Sequence, residues 1–378
     1  MDGKRAIRLR GMTWDHPRGY GPLTTCSAVW RERTGVHIDW ERRSLQDFES
    51  FPVAELATRY DLIVIDHPHV GQITREGCLA PLDEDAGTDA GAYEAVGASL
   101  ASYRWEGRLW ALPIDAAAQV QAWRPDRLAA APVDWAAVLE LAADGLLLCP
   151  LRPPHNLMAL FTLCGLAGHP ARERSEPMFD PVAGGEAYER LRELAALLDP
   201  RSGDWDPIAV LEKLAAPDTG EVCAPLIYGY VSYARHDATG VRLAFSDLAP
   251  LQRGGSRAGS ALGGTGIAVS AHCRDRAAAL AFARWVAGAE AQCGPYVEGG
   301  GQPAHRCAWE DPDINTASLG FYRHTLATLE GAWVRPRHAG YMRFQERASA
   351  RLRDALIARE PAAALIAALN RLSLGESP

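Results

Sequence analysis

Several things are missing from this 378-residue chain, and each absence removes a class of function. No stretch approaches the roughly 18 uninterrupted apolar residues that a membrane-spanning helix needs, so no insertion into a bilayer is expected. No Lys/Arg-rich run is present and the formal net charge is -8, whereas a general nucleic-acid binder needs a basic surface. Lysine is scarce and arginine supplies nearly all the positive charge. The eight cysteines include no C-x-x-C pair, which argues against a zinc ribbon or a thioredoxin-like site. Scattered cysteines in a large chain are expected to be reduced, partly buried small hydrophobes. The Gly-x-Ser-x-Gly elbow of a serine hydrolase is also absent. Met1 to Arg5 is charged, but no apolar segment follows it. The chain as it stands is therefore expected in the cytoplasm, or in the periplasm or outside the cell if a signal has been removed.

What is present is ordinary globular composition, 48% hydrophobic and 23% charged. The length exceeds the usual limit of a single core, so two domains are expected. Ala6–Met12 predicts a first strand, Pro22–Arg33 a helix closed by Gly35, and Val36–Arg42 a second strand. Pro52–Arg59 predicts a short helix and Asp61–Ile65 a nearly all-apolar third strand, as suits a parallel strand buried on both faces. This alternation implies a doubly wound sheet with right-handed crossovers. Glu106-Gly107 marks a hairpin, and Leu112–Asp115 a crossing segment.

The pattern then starts afresh. Helices are expected at Trp135–Ala142, Asn156–Cys164, Gly184–Leu198 and Ile208–Ala215, with strands at Leu146–Cys149 and Val222–Tyr230. The glycine-rich stretch 253–266 would bring the chain back through a turn. A strand at Ile267–Ser270 and an amphipathic helix at Arg276–Gly288 follow. From Ser318 onward the pattern is helical.

Chemistry-bearing side chains collect at strand ends: Trp14, His16 and Arg18 after the first, Asp66, His67 and His69 after the third, Asp115 at the crossing. Strands one and three lie side by side in the common order of such sheets, which brings the first two groups together. Trp14 suits a ring-bearing ligand or the core. Arg18 offers a planar fork for an anion, or a salt bridge to a nearby acid. Asp115 either meets a ligand or caps a helical turn at Ala116–Gln119. His16, His67, His69 and Asp66 suit either a divalent metal or a polar ligand wall. Their spacing matches no zinc motif, so neither metal nor cofactor is expected. Tyr228 and Tyr230 flank a glycine at a strand end, on one face. Gly264 and Thr265 could offer backbone N–H groups to an anion, but lack the lysine of a P-loop. Arg335, Arg337 and Tyr341 either close over a ligand or cap a surface helix.

Several segments together resemble the family 1 extracellular solute-binding proteins, the binding components of ABC importers. They are Tyr60–Asp66, the Leu79–Asp83 turn, Gly107–Pro113, Gly263–Val269 with its following helix, and Gly301-Gln302-Pro303. In order, they span nearly the whole chain. The resemblance implies a two-lobed, α/β, type II periplasmic-binding-protein-like fold, each lobe a mostly parallel sheet flanked by helices, with a ligand cleft between. It implies lobe one from 1–114 plus 260–308 and lobe two from 115–259 plus 309–378, with hinge crossings near 112–116 and 248–262. The function it implies is hinged binding of a small polar or anionic metabolite by a monomer, with ABC permease subunits as partners.

The alternative is an enzyme on the same scaffold. Thiaminases, which resemble this fold, place a nucleophilic cysteine just after the crossing, where this chain reads Asp115-Ala116-Ala117-Ala118. Acid–base chemistry by His16 or His67 with Asp66 or Asp115 is the form of catalysis left open.

Overall fold

The computed structural model describes residues 7–44, 53–83, 93–172, 177–235 and 240–375. The chain divides into two compact units. Unit 1 comprises Met1–Ala116, Gly263–Ile314 and Arg337–Ala339, and unit 2 comprises Ala117–Leu262, Asn315–Pro336 and Gly340–Pro378.

In unit 1 the strand Arg8–Trp14 pairs in parallel with His37–Arg43 on one side and Leu62–Ile65 on the other. Strands one and three are thus neighbours, as their order in the sequence led us to expect. Leu62–Ile65 is fully buried because the strand Leu262–Ser270 covers its far side, antiparallel, with Gly266 opposite Ile65. The amphipathic helix Arg276–Ala287 turns Ala279, Phe282, Ala283 and Val286 inward. Glu106 and Gly107 both adopt positive φ and join Arg104–Trp105 to Arg108–Leu109 as the expected hairpin.

Unit 2 is built around the strand Leu112–Trp123 from Ala117 onward, which is paired antiparallel with both Cys223–Tyr228 and Ala244–Ser246. This departs from the mostly parallel pairing expected of each lobe. The strand expected at Leu146–Cys149 makes only a bridge, Leu147 to Cys223, so no parallel crossover unit is completed. The helix His155–Leu166 is buried along its whole length. It shares one apolar core with Pro181–Leu197, Tyr341–Ala358 and Ala362–Ser373.

Four expectations are corrected. The first helix runs Pro17–Thr34, not from Pro22, because the His16 side chain caps it and Pro17 supplies the first-turn φ. Ala116–Gln119 is strand, so Asp115 caps no helical turn. Residues 263–266 are strand, not a turn. Gly264 stands at φ +97, where a Cβ would overlap the Asp115 carbonyl oxygen; glycine is what lets this backbone pass so close. Finally, Cys293 and Cys307 are disulfide-bonded, while six other cysteines are free. The pair stand 14 positions apart in sequence, and folding brings their Cα atoms to 6.6 Å. No helix among the described residues is long and apolar enough to cross a membrane.

Candidate functional site

The C-terminal end of the first strand carries the densest group of functional side chains in unit 1. Trp14 is buried and its ring stacks on His16, centroids 5.0 Å apart and planes 8° from parallel. The Arg18 backbone N–H donates to His16 Nδ1 at 3.1 Å, which fixes that nitrogen as the unprotonated one. Burial, and then the neighbouring Arg18 charge, push His16 down to about 4, so the ring is neutral near pH 7. The Arg18 guanidinium lies 5.8 Å from the Trp14 ring centre.

Arg18 forks onto Asp115. Its Nε donates to Oδ2 at 2.7 Å and its Nη2 to Oδ1 at 2.5 Å. Both side chains are almost wholly buried, at 4% and 2% exposure. Desolvation raises the Asp115 carboxyl, and the Arg18 charge and hydrogen bonds work against that rise. Of the two roles open to Arg18 in the sequence, the structure shows the salt bridge: the fork faces an internal carboxylate. Topology makes the pair, since Asp115 lies 97 residues along the chain.

Asp66 follows the third strand and sits 3.2 Å from Nδ1 of the fully buried His67. His67 meets the Tyr103 ring edge-on at 6.3 Å, and Tyr103 donates its hydroxyl to Ile65 O at 3.2 Å. His69 is also buried. Among the described residues no group of three or more His, Cys, Asp or Glu side chains gathers around a metal position. Gly264 packs on the Asp115 backbone, and Thr265 next to it is buried. Arg337 belongs to this unit, where its Nη1 donates to Ala101 O at 2.9 Å and Arg104 O at 2.8 Å. That closes the C-terminus of the short helix Ser99–Ser102, the capping role left open in the sequence.

Unit 2 has its own polar group. Gln119 is fully buried opposite Tyr228 in the strand register. Thr162 donates to Gln119 Oε1 at 2.6 Å and receives the Ala261 N–H at 3.0 Å. Ser260 donates to Gln119 O at 2.8 Å. His155 meets the Tyr228 ring edge-on at 6.5 Å, and burial pushes it down to about 4. Arg335 is buried and donates through Nε to Leu262 O at 3.1 Å. Tyr230 lies beyond the strand end, which falls at Tyr228; it is buried against Tyr233.

Sequence reasoning passed over His155, Gln119 and Thr162. Their one signal is polarity inside otherwise apolar runs, which a buried network and an exposed stripe share. His155 and Thr162 are seven residues apart, so they occupy one helix face.

No family model and no curated protein matches this chain in sequence. Solved structures match it in fold across nearly its full length. Maltose-bound MalE3 of T. maritima aligns with a TM-score of 0.82 at 15% identity, covering 97% of this chain and 99% of that one. The GacH receptor of Streptomyces glaucescens, solved unliganded and with acarbose, aligns with a TM-score of 0.77 at 17% identity, covering 99% and 100%. An ABC transporter solute-binding protein of Agrobacterium radiobacter K84, in complex with ribitol, gives 0.74 at 16% identity, covering 98% of each chain. The fold is therefore that of the two-lobed periplasmic binding proteins, in the form used by ABC solute-binding proteins, as the sequence resemblance implied.

Proposed function

We propose that this protein is a solute-binding component of an ABC-type importer and takes a small hydroxyl-rich solute, a sugar or a polyol. The observation that carries the reading is full-length agreement in fold with proteins solved holding maltose, ribitol and acarbose. The chemistry of unit 1 supports the solute class. The half-buried His16 ring, backed by the buried Trp14, offers a flat surface, and Asp66 supplies a carboxylate at the end of the neighbouring strand. Such groups accept hydrogen bonds from hydroxyls and pack against the apolar face of a sugar ring.

An anionic solute draws less support, because the Arg18 fork is already engaged by Asp115. Acid–base catalysis through His16 or Asp115 gains none either: His16 is held far below neutrality and both Asp115 oxygens are bonded. A working location outside the cytoplasm belongs to the same proposal, and the Cys293–Cys307 bridge favours it, since disulfides persist in oxidising compartments.

The test is a thermal-shift and calorimetric screen of the full chain against maltose, maltotriose, ribitol and D-mannitol, with citrate and phosphate as anionic controls. At least one hydroxyl-rich compound is expected to raise Tm with a saturating dependence, because a ligand bound only by the native state stabilises it. Saturation by the anions alone, or by none of the compounds at millimolar concentration, overturns the reading.

A further inference from the structure

We propose that the Cys293–Cys307 disulfide is a redox control on the Arg18–Asp115 face of unit 1. Its reduction releases the loop that holds both halves of that ion pair. The consequence for solute binding rests on the function proposed above; the coupling itself does not.

The loop enclosed by the disulfide touches the elements that carry both partners of the pair. At one point it is pressed on the helix that carries Arg18. A Cβ on Gly299 would stand 2.6 Å from Pro22 Cα and 2.8 Å from Thr25 Oγ1, and one on Gly21 would overlap the Gly299 carbonyl oxygen. Backbone meets backbone there with no side chain between. Three residues on, the loop is stitched to the strand that carries Asp115. Gln302 Nε2 donates to Ala116 O at 2.7 Å, Ala116 N–H donates to Gln302 O at 3.2 Å, and Pro303 bridges Asp115 directly. Gln302 is buried, so these bonds are shielded from water.

The two ends of the loop are anchored beside the two cysteines. Gln292, next to Cys293, accepts the Ala304 N–H at 2.7 Å and the His305 N–H at 3.3 Å, and donates to Val286 O at 2.9 Å. Trp309, two residues past Cys307, donates its indole N–H to Pro303 O at 2.8 Å. The disulfide ties these anchors covalently, so cutting it lets the loop shift on both contacts at once.

The chemistry is directed to this pair. Both cysteines are partly exposed, whereas Cys26, Cys78, Cys149, Cys164 and Cys223 are buried free thiols. Burial pushes Cys78 up to about 11 and Cys149 and Cys164 up to about 12, which leaves little thiolate to compete. Cys273 is partly exposed, but burial and then the Asp61 charge push it up to about 12. The reductant is a dithiol. One of its thiolates attacks a sulfur of the Cys293–Cys307 bond, forming a mixed disulfide and releasing the other cysteine. Its second thiol then displaces the remaining cysteine. The dithiol leaves as a cyclic disulfide, having given two electrons and two protons, and the protein holds two thiols.

The experiment is hydrogen exchange of the full chain, oxidised and after dithiothreitol, with the Cys293→Ser/Cys307→Ser variant alongside. Amides of 299–305 and 112–116 are expected to exchange at least tenfold faster when reduced, while those of 155–166 in unit 2 are unchanged. Re-oxidation is expected to restore the slow rates. Oxidised Gln302→Ala is expected to accelerate 112–116 while leaving 306–310 protected. Acceleration confined to the residues beside the cysteines, no acceleration, or equal acceleration throughout the chain would overturn the proposal. If the double variant fails to fold, the wild-type oxidised and reduced comparison decides the matter alone. Titration of the oxidised wild type with ribitol and maltose runs in parallel: failure to bind there, with the exchange coupling intact, sinks the solute reading and keeps the coupling.

Discussion

At the scale of single residues, the Arg18–Asp115 pair dominates unit 1. Both charges are out of water, so each depends on the other for compensation. Arg18→Met or Asp115→Leu alone is expected to cost about 3–5 kcal/mol in urea unfolding, because the remaining charge is left buried and unpaired. The double variant Arg18→Met/Asp115→Leu is expected to regain most of that loss; if it is as unstable as the sum of the singles, the pair is not the coupled unit described here. His16 and His155 make a second residue-scale prediction. Each is held near 4 in the folded protein, against an ordinary value near 6.5. Between those values the unfolded chain binds protons that the folded chain refuses. The contribution of the neutral rings is therefore complete above pH 6.5 and is lost as pH falls toward 4. Urea midpoints measured across that window should decline, by at most about 1.4 kcal/mol per pH unit per histidine. His155→Leu should flatten the decline, and an unchanged slope would remove His155 from this account.

At the scale of elements, two devices set the site. One is the close passage of the strand Leu262–Ser270 past Asp115 at Gly264. Gly264→Ala adds both a left-handed strain and an overlap with a main-chain oxygen, and is expected to destabilise by about 2–4 kcal/mol. A loss below about 0.5 kcal/mol in the same unfolding assay would show that the strands part easily. The other device is the disulfide. It closes a loop of 14 residues, and removing it with Cys293→Ser/Cys307→Ser is expected to cost about 3 kcal/mol on loop entropy. Thermal unfolding under non-reducing conditions measures this directly.

The element scale also shows how far sequence reasoning reaches. The helix His155–Leu166 was visible as an apolar run and the helix Arg276–Ala287 by its three- and four-residue spacing, because burial of one face writes itself into periodicity. The start of the first helix was misplaced by five residues. Pro22 looked like an N-terminal proline, yet Pro17 fills that position and His16, an uncommon cap, accepts the bond. The residues Ala116-Ala117-Ala118-Gln119 suggest a helical turn by local propensity. Their place in the ladder of the strand Leu112–Trp123, which from Gln119 onward pairs with Cys223–Tyr228, overrides it and makes them strand.

At the scale of the whole molecule, the chain passes between its units at 116/117, 262/263, 314/315, 336/337 and 339/340. No single cut separates the two. The core of unit 2 takes Tyr341, Phe344, Leu352, Leu365 and Leu369 from the C-terminal helices. A fragment of residues 117–262 is therefore expected to lack a cooperative thermal transition, because its apolar helices have lost their covering layer. Adding residues 315–378 in trans should restore one; a cooperative transition in the fragment alone would show that those helices are dispensable to the core.

The sequence by itself determined the order of helices and strands in unit 1, the adjacency of the first and third strands, and the clustering of polar side chains at strand ends. Those properties follow from local patterning and from chain connectivity, both written along the chain. Tertiary structure alone decided which charges neutralise each other, which two of eight cysteines meet, and in which direction the strands of unit 2 pair. Arg18 and Asp115 lie 97 residues apart, and Cys293 and Cys307 look like any other cysteines in the chain. Such pairings are set by packing in three dimensions, where a carboxylate taken out of water must find its cation and two thiols must come within bonding reach.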